Sequence, residues 1–216
     1  DLGSGFKIAM RDMEIRGVGT LLGQRQHGHM QAVGYNLYCK MLNEAVLRLR
    51  GGKNVEDDDF ETVADIQTDA FIPDSYIKNE ALKLDIYRRI AAVENKEEQE
   101  DMLEELIDRF GDPPTAVMNL LEITLLRGLA HSLYITEVKA RPDMITFTMY
   151  EKAKIRVDKI PELLEQMGGN MTFRHAEPAQ FICRLQGGRR RFSGTILEIT
   201  REVLEEMYVL REEEEK

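Results

Sequence analysis

The sequence contains no tryptophan, only two cysteines and no long apolar run. Cys39 and Cys183 stand far apart within apolar segments, which favours two reduced core thiols over a disulfide. No segment approaches the length of apolar helix that a bilayer requires, and the first residues lack the order of a secretory signal. We therefore expect a cytoplasmic protein that makes no contact with a membrane.

The sequence also lacks the motifs of a self-contained enzyme. No glycine is followed by Lys-Ser or Lys-Thr, which excludes a P-loop, and the glycines at 17–23 lack the spacing of a dinucleotide fingerprint. His27 and His29 have no third metal ligand close in sequence, and no serine or cysteine has a recognisable catalytic partner. We expect this chain to have no catalytic residue, no metal and no cofactor of its own.

The charge is unevenly distributed along the 216 residues. The net charge is −10, yet residues 1–50 carry seven basic and four acidic side chains, against 22 basic and 35 acidic ones in the remainder. A phosphate backbone would be repelled by most of the chain, so any contact with DNA is expected near the amino end. With 43% apolar residues the chain can bury a core of one or two domains.

The first quarter of the chain is predicted to be helical. Short apolar segments broken by glycines at 5–29 indicate a helical hairpin with a polar loop, and residues 31–50 have the spacing of a long amphipathic helix. Gly51 and Gly52 end that helix, and the polar stretch Lys53–Asp59 indicates a domain boundary. The predicted domains are residues 1–53, the hairpin with its linker helix, and residues 54–216, a compact domain.

The second domain is predicted to have a helical half of about seventy residues. Asp74 and Ser75 are the expected cap of its first helix, and Asn95 with Glu98 three residues later indicates a capping box for the next. Gly111 ends that helix and Asp112-Pro113 begins a third. The inward stripe predicted for the second helix comprises Met102, Leu103, Leu106, Ile107 and Phe110.

The remainder of this domain is predicted to be a small antiparallel sheet with two helices. Alternating apolar residues indicate a hairpin turning at Arg141-Pro142-Asp143, followed by two more strands. The predicted elements are strands 134–140, 144–150, 171–174 and 180–186, and helices 161–167 and 193–210. The fold class is therefore α+β, with a helical hairpin and a long helix preceding a compact α+β domain.

One stretch is more specific than any of these patterns. Residues 12–28 fit D-x-E-x-R-G-x-G-x-x-L-G-x-x-Q-x-G, with nine fixed letters. This pattern resembles the TRG element shared by RecG-type fork-reversal helicases and bacterial transcription-repair coupling factors. In such motors, the resemblance implies, a helical hairpin lies beside the second ATPase lobe and its loop reaches toward DNA, with ATP and Mg bound elsewhere in the parent protein.

The resemblance gives the residues of this element a motor-coupling role close to DNA. Arg16 and Gln26, with Glu14, would tie the hairpin, motor and loop together, because the fixed fork of an arginine can hold a carboxylate or backbone carbonyls in one geometry. The glycines that would supply the bends are Gly17, Gly19, Gly23 and Gly28. The plainer alternative is that Arg16 caps the preceding helix and Gln26 belongs to a surface loop.

Three later stretches resemble the carboxy-terminal domain of transcription-repair coupling factors. They are residues 71–74, 85–90 and 105–114. More than 150 residues follow the TRG-like element, more than a RecG-type helicase should have, although that family and a free-standing acidic interaction module remain alternatives. The parent protein implied is an ATP-dependent DNA translocase that displaces stalled RNA polymerase and recruits nucleotide excision repair.

In that family the last domain is implied to dock on amino-terminal domains of the same protein and to hide the surface that recruits UvrA. Asp101, Glu104, Glu105 and Asp108 share a helix face and form the predicted interdomain acidic face. Exposed ion pairs contribute about 0 to 1 kcal/mol each, which favours a releasable contact. The alternative is that these acids only keep a surface helix soluble.

Overall fold

A computed structural model describes residues 60–212 of the chain. The predicted hairpin and long helix, the boundary between residues 53 and 54, and Cys39 lie outside the described residues. The same holds for the whole motor-coupling set, which comprises Glu14, Arg16, Gly17, Gly19, Gly23, Gln26 and Gly28. These predictions remain predictions.

The described residues form an α+β domain, as the sequence predicted. Two single 3₁₀ turns, Val157–Lys159 and Tyr208–Leu210, accompany the regular elements. No helix among residues 60–212 combines the length and the apolar character needed to cross a membrane. In chain order the elements are β1 (Val63–Ile66), α1 (Glu80–Ala91), α2 (Lys96–Phe110), α3 (Thr115–Ser132), β2 (Ile135–Arg141), β3 (Met144–Met149), α4 (Ile160–Gln166), β4 (Met171–Arg174), β5 (Gln180–Arg184) and α5 (Ile196–Met207).

The five strands form one sheet in the order β1-β2-β3-β5-β4. The predicted hairpin is confirmed, since β2 and β3 pair antiparallel on either side of residues 142–143, and β5 pairs antiparallel with both β3 and β4. The small antiparallel sheet is confirmed for these four strands, and the sheet has one further strand that was not predicted, β1, which pairs parallel with β2. The helices α1 to α3 form the connection that a parallel pair needs.

Strand β1 lies in a stretch for which the sequence predicted helix. With only four residues, this strand is too short to show the alternation of apolar and polar residues that predicts a strand. Its position depends on tertiary contacts. The Thr62 hydroxyl just before it donates to the Ile135 carbonyl at 2.6 Å. The Phe60 ring stacks on His131 and Tyr150, with centroids 4.4 and 4.7 Å apart. These contacts anchor the beginning of the domain beside β2.

The core lies between the sheet and the helices, with α3 at its centre. Side chains of α3 such as Leu120 and Leu126 are buried together with Phe147 and Phe181 from the sheet. Because α3 packs against α1, α2, α5 and two strands, more than one of its faces is buried. Leu125 and Leu129 of the same helix are only partly buried. In a helix that is buried on several sides, the apolar residues do not form one stripe, so their spacing does not predict which of them is most buried.

The helix caps are partly as predicted. Asn79 begins α1, with its side chain accepting from the Leu82 amide, so the expected cap at Asp74 and Ser75 was wrong. Asp74 instead forms an ion pair with the largely buried Lys83. The cap of α2 at Asn95 is confirmed, and this cap positions the helix that carries the predicted acidic face.

Candidate interaction surface on the second helix

Helix α2 has well-defined ends. The Asn95 side chain accepts from the Glu98 amide at 3.0 Å, and the Glu98 carboxylate accepts from the amide of Glu94 at 2.8 Å. In a standard capping box the Glu98 carboxylate would accept from the amide of the cap residue, Asn95. Here it accepts from the amide of the residue before the cap. Gly111 ends the helix with a φ of 82°, a conformation that suits glycine. The register of the acidic residues is therefore fixed.

The buried side of α2 is centred on Leu106. Leu106 and Met102 are buried, while Leu103 and Phe110 are half-buried. Ile107 was predicted to face inward, but its exposed fraction is 42%. A residue directly after Leu106 is rotated by about 100° around the helix axis, which carries it out of the buried stripe.

The opposite side of α2 carries the predicted acidic residues. Asp101, Glu104 and Asp108 are exposed, whereas Glu105 is half-buried. The spacings of three and four residues place them along one side of the helix. Three carboxylates therefore face solvent from a helix that is fixed to the core by its other side.

Glu105 links α2 to α1. Both terminal nitrogens of the Arg89 guanidinium donate to the two Glu105 carboxylate oxygens, and Arg109 Nη1 donates to Oε1 at 2.5 Å. The hydrogen bonds from Arg89 hold the pKa of the Glu105 carboxyl below its usual range, and Arg109 adds to the effect. Glu105 is thus engaged within the domain and is a weaker candidate for an outside partner than its three neighbours.

Neither arginine of this network was predicted from the sequence. Arg109 lies four residues after Glu105, a spacing from which an ion pair could have been predicted. Arg89 belongs to another helix, so its contact depends on how α1 packs against α2. No signal in the sequence indicated that contact.

An open groove lies between the end of α1 and the first turns of α2. Its volume is about 310 Å³. Val93 and Met102, each 5% exposed, supply apolar surface. The charged residues lining it are Arg89, Glu98, Asp101 and Glu105. The lining therefore carries three carboxylates against one guanidinium. Within residues 60–212 no group of three or more acidic, histidine or cysteine side chains is arranged to hold a metal ion.

Comparisons with known proteins agree on one family. The family model "TRCF domain" matches residues 66–160. The transcription-repair-coupling factor of Staphylococcus haemolyticus is 42% identical over 178 residues, which are 82% of this chain and 14% of the relative. The corresponding factor of Bacillus subtilis is 41% identical over 170 residues, 78% of this chain and 14% of the relative.

A solved structure is also similar to part of the chain. A crystal structure of the C-terminal domain of transcription-repair coupling factor covers 68% of this chain and 94% of its own, with 26% identity and a TM-score of 0.49. The chain spans about 14% of the length of the curated relatives it matches. Because the match of 178 residues is longer than the described range, it includes part of residues 1–59.

Proposed function

Because this chain belongs to the transcription-repair-coupling factor family, we propose that it is the carboxy-terminal part of such a factor. The parent protein would be an ATP-dependent DNA translocase that uses ATP and Mg, displaces stalled RNA polymerase and recruits UvrA. The chain would contribute two parts. Residues 1–53 would couple ATP hydrolysis to movement on DNA, and residues 54–216 would restrain UvrA binding and motor activity.

The observation that supports the restraining role is the exposed acidic side of α2. Asp101, Glu104 and Asp108 present three carboxylates from a helix whose other side is fixed in the core. This geometry suits contact with a basic surface on the amino-terminal domains of the same protein. Each exposed pair would contribute about 0 to 1 kcal/mol, so a few pairs would hold the domain closed and still allow release.

Neutralising these three carboxylates in the parent protein tests the restraint. We expect the variant Asp101→Asn, Glu104→Gln, Asp108→Asn to capture more UvrA in a pull-down, because the domain would no longer cover the UvrA surface. Glu105 is kept, since its removal would also break the contact between α1 and α2.

The control for this experiment removes the same charge elsewhere. Glu151, Glu177 and Glu205 are exposed and lie outside α2, so their change to Gln should leave UvrA capture as it was. Equal capture by both triple variants and the unchanged parent would show that the acidic side of α2 does not restrain the protein.

The coupling role is tested at Arg16. We expect Arg16→Ala in the parent to remove translocation while leaving ATP hydrolysis intact, because this residue would transmit motion without contacting the nucleotide. Translocation is measured by displacement of a stalled polymerase, and hydrolysis by phosphate release. A variant that keeps its translocation would contradict this role.

A further inference from the structure

We infer that the arginine loop, residues 184–192 between β5 and α5, binds the phosphate backbone of duplex DNA. Residues 178–197 contain four arginines and no acidic residue, although residues 60–212 carry 28 acidic side chains against 20 basic ones. Because the rest of the domain repels phosphate, a contact with DNA requires a local excess of positive charge of this kind. The inference goes beyond the proposed restraint, and only the choice of DNA as the nucleic acid rests on the proposed function.

The backbone of the arginine loop is held by the buried side chain of Asn170. This side chain donates to the Arg184 carbonyl at 2.9 Å and accepts from the Arg190 amide at 3.0 Å. Two stretches of the loop are thereby fixed on one amide group. A Cβ atom at Gly188 would overlap the Asn170 Oδ1 atom, so the loop packs closely on this side chain. A loop that is already ordered loses little conformational entropy when it binds a partner.

Arg190 fixes the loop to α5. Its guanidinium donates to the Glu202 carboxylate at 2.6 Å and to the Glu206 carboxylate at 2.8 Å. At the start of the same helix, the Glu198 carboxylate accepts from the Thr195 amide at 2.7 Å. These three carboxylates are therefore engaged within the domain, on Arg190 and on the helix cap, and do not pair with the other arginines of the loop.

Three further arginines of the loop are available to an outside partner. Arg184, Arg189 and Arg191 are exposed, and their side chains form no hydrogen bond or ion pair with any residue in the range 60–212. The planar fork of a guanidinium can bind two phosphate oxygens at once. The backbone amides of Gly187 and Gly188, which also have no acceptor within that range, are additional donors for a phosphate.

The composition of the loop favours a duplex over a single strand. Sites for single-stranded nucleic acid combine basic side chains with aromatic rings on which the bases stack. Phe192, the one aromatic residue of the loop, is half-buried, and the Arg190 guanidinium lies over its ring at 5.7 Å from the centroid. Contacts to the backbone alone suit the regularly spaced phosphates of a duplex and give weak binding without sequence preference.

Fluorescence anisotropy on the 216-residue chain tests this contact, with a short fluorescein-labelled DNA duplex titrated at several salt concentrations. We expect the double variant Arg189→Gln, Arg191→Gln to bind roughly tenfold more weakly at low salt. The slope of log Kd against log salt should fall by about 1.8, because each phosphate contact contributes about 0.9. The control Lys78→Gln, Lys96→Gln removes the same charge from exposed positions in the helical half and should leave the slope as it is. Equal effects of the two double variants would overturn the inference.

A substitution with the opposite expected effect guards against a folding defect. The exposed Asp143 lies beside the loop, since its carbonyl accepts from the Leu185 amide at 2.9 Å. Asp143→Asn removes a negative charge next to the arginines and should strengthen duplex binding roughly twofold. Asp112→Asn, at an exposed position in the helical half, should not. The inference fails if these two variants bind the duplex equally.

Competition experiments distinguish duplex DNA from other anionic partners. Unlabelled duplex should displace the probe, whereas poly-glutamate of equal charge should displace it poorly. If poly-glutamate competes as well as the duplex, the loop binds an acidic protein and the contact with DNA is overturned. Tighter binding of the corresponding single strand would overturn the preference for a duplex.

The two assays separate this inference from the proposed restraint. Duplex binding is measured on the chain alone, so binding that depends on the arginine loop stands even if the triple variant of the parent captures no additional UvrA. If that triple variant captures more UvrA while the loop variant and its control bind the duplex alike, the restraint stands and the contact with DNA is overturned.

Discussion

Gly128 of α3 packs against the backbone of the connection between α1 and α2. A Cβ atom added at this position would lie 2.8 Å from the Glu94 carbonyl oxygen and 3.7 Å from the carbonyl carbon. The obstructing atoms belong to the backbone, so no side-chain rotation can relieve the contact. The residue that must move directly precedes Asn95, the cap of α2, and we therefore expect Gly128→Ala to disturb the start of that helix.

Two opposing effects set the magnitude of this change. Alanine is more favourable than glycine within a helix by about 0.8 to 1.0 kcal/mol. Forcing an additional carbon into a packed region typically costs about 1 to 3 kcal/mol, and a backbone obstruction at 2.8 Å belongs to the upper part of that range. We expect a net loss of about 1 to 2 kcal/mol in the free energy of unfolding, which lowers Tm by about 3 to 6 °C for a domain of this size.

Thermal and urea unfolding followed by circular dichroism measure this loss, and amide NMR locates it. The amide chemical shifts that change in Gly128→Ala should lie mainly at residues 92–98. Gly111→Ala is the control: a Cβ there meets no atom within 4 Å, but the φ of 82° strains any residue other than glycine, so its changes should lie at the other end of α2. If Gly128→Ala proves as stable as the original chain or more so, the connection moves without cost and close packing does not limit this position.

The remaining predictions concern the helix pair and the buried thiol. A double-mutant cycle of Arg89→Ala and Glu105→Gln should give a coupling of about 0.5 to 1 kcal/mol at neutral pH. The pKa of Glu105 is lower in the folded state than in the unfolded state, so the coupling should be complete above the ordinary carboxyl pKa and should disappear as pH falls through the lowered one. A coupling that persists in strong acid would argue against the ion pair. Leu106→Ala should cost about 2 to 5 kcal/mol in urea unfolding, against less than about 0.5 kcal/mol for the exposed Ile107→Ala, and similar costs would contradict the observed burial. Burial raises the pKa of Cys183 to about 12, so iodoacetamide at neutral pH should label it only after unfolding, as peptide mass analysis would detect.

Elements with local signals could be predicted from the sequence. The stripe of α2, its cap at Asn95 and its end at Gly111 depend on neighbours within a few residues, as does the turn at 142–143. The start of α1 was misplaced because Asp74, Ser75 and Asn79 have equivalent capping chemistry. The ion pair of Asp74 with Lys83 is part of the tertiary arrangement, which no local pattern reveals.

The acidic surface of α2 could likewise be predicted from the sequence only in part. Helical spacing alone placed Asp101, Glu104 and Asp108 on one exposed side of α2. Spacing could not show that Glu105 is engaged by Arg89 of α1, nor that a groove opens beside it, because both depend on the packing of two helices. Whether the acidic side binds a partner remains a prediction.

The parallel pairing of β1 has a consequence for any shortened version of this chain. Polypeptides beginning after Ile66 would keep the five helices described here for residues 60–212, yet one side of β2 would be left with unsatisfied backbone amides and carbonyls. A bare strand edge of that kind recruits strands from other molecules, and aggregation follows. Strands β1 and β2 lie about seventy residues apart in the sequence, so during synthesis β1 cannot pair until β2 has been made. Because this contact is so distant in sequence, refolding should also be slower than the helical content suggests.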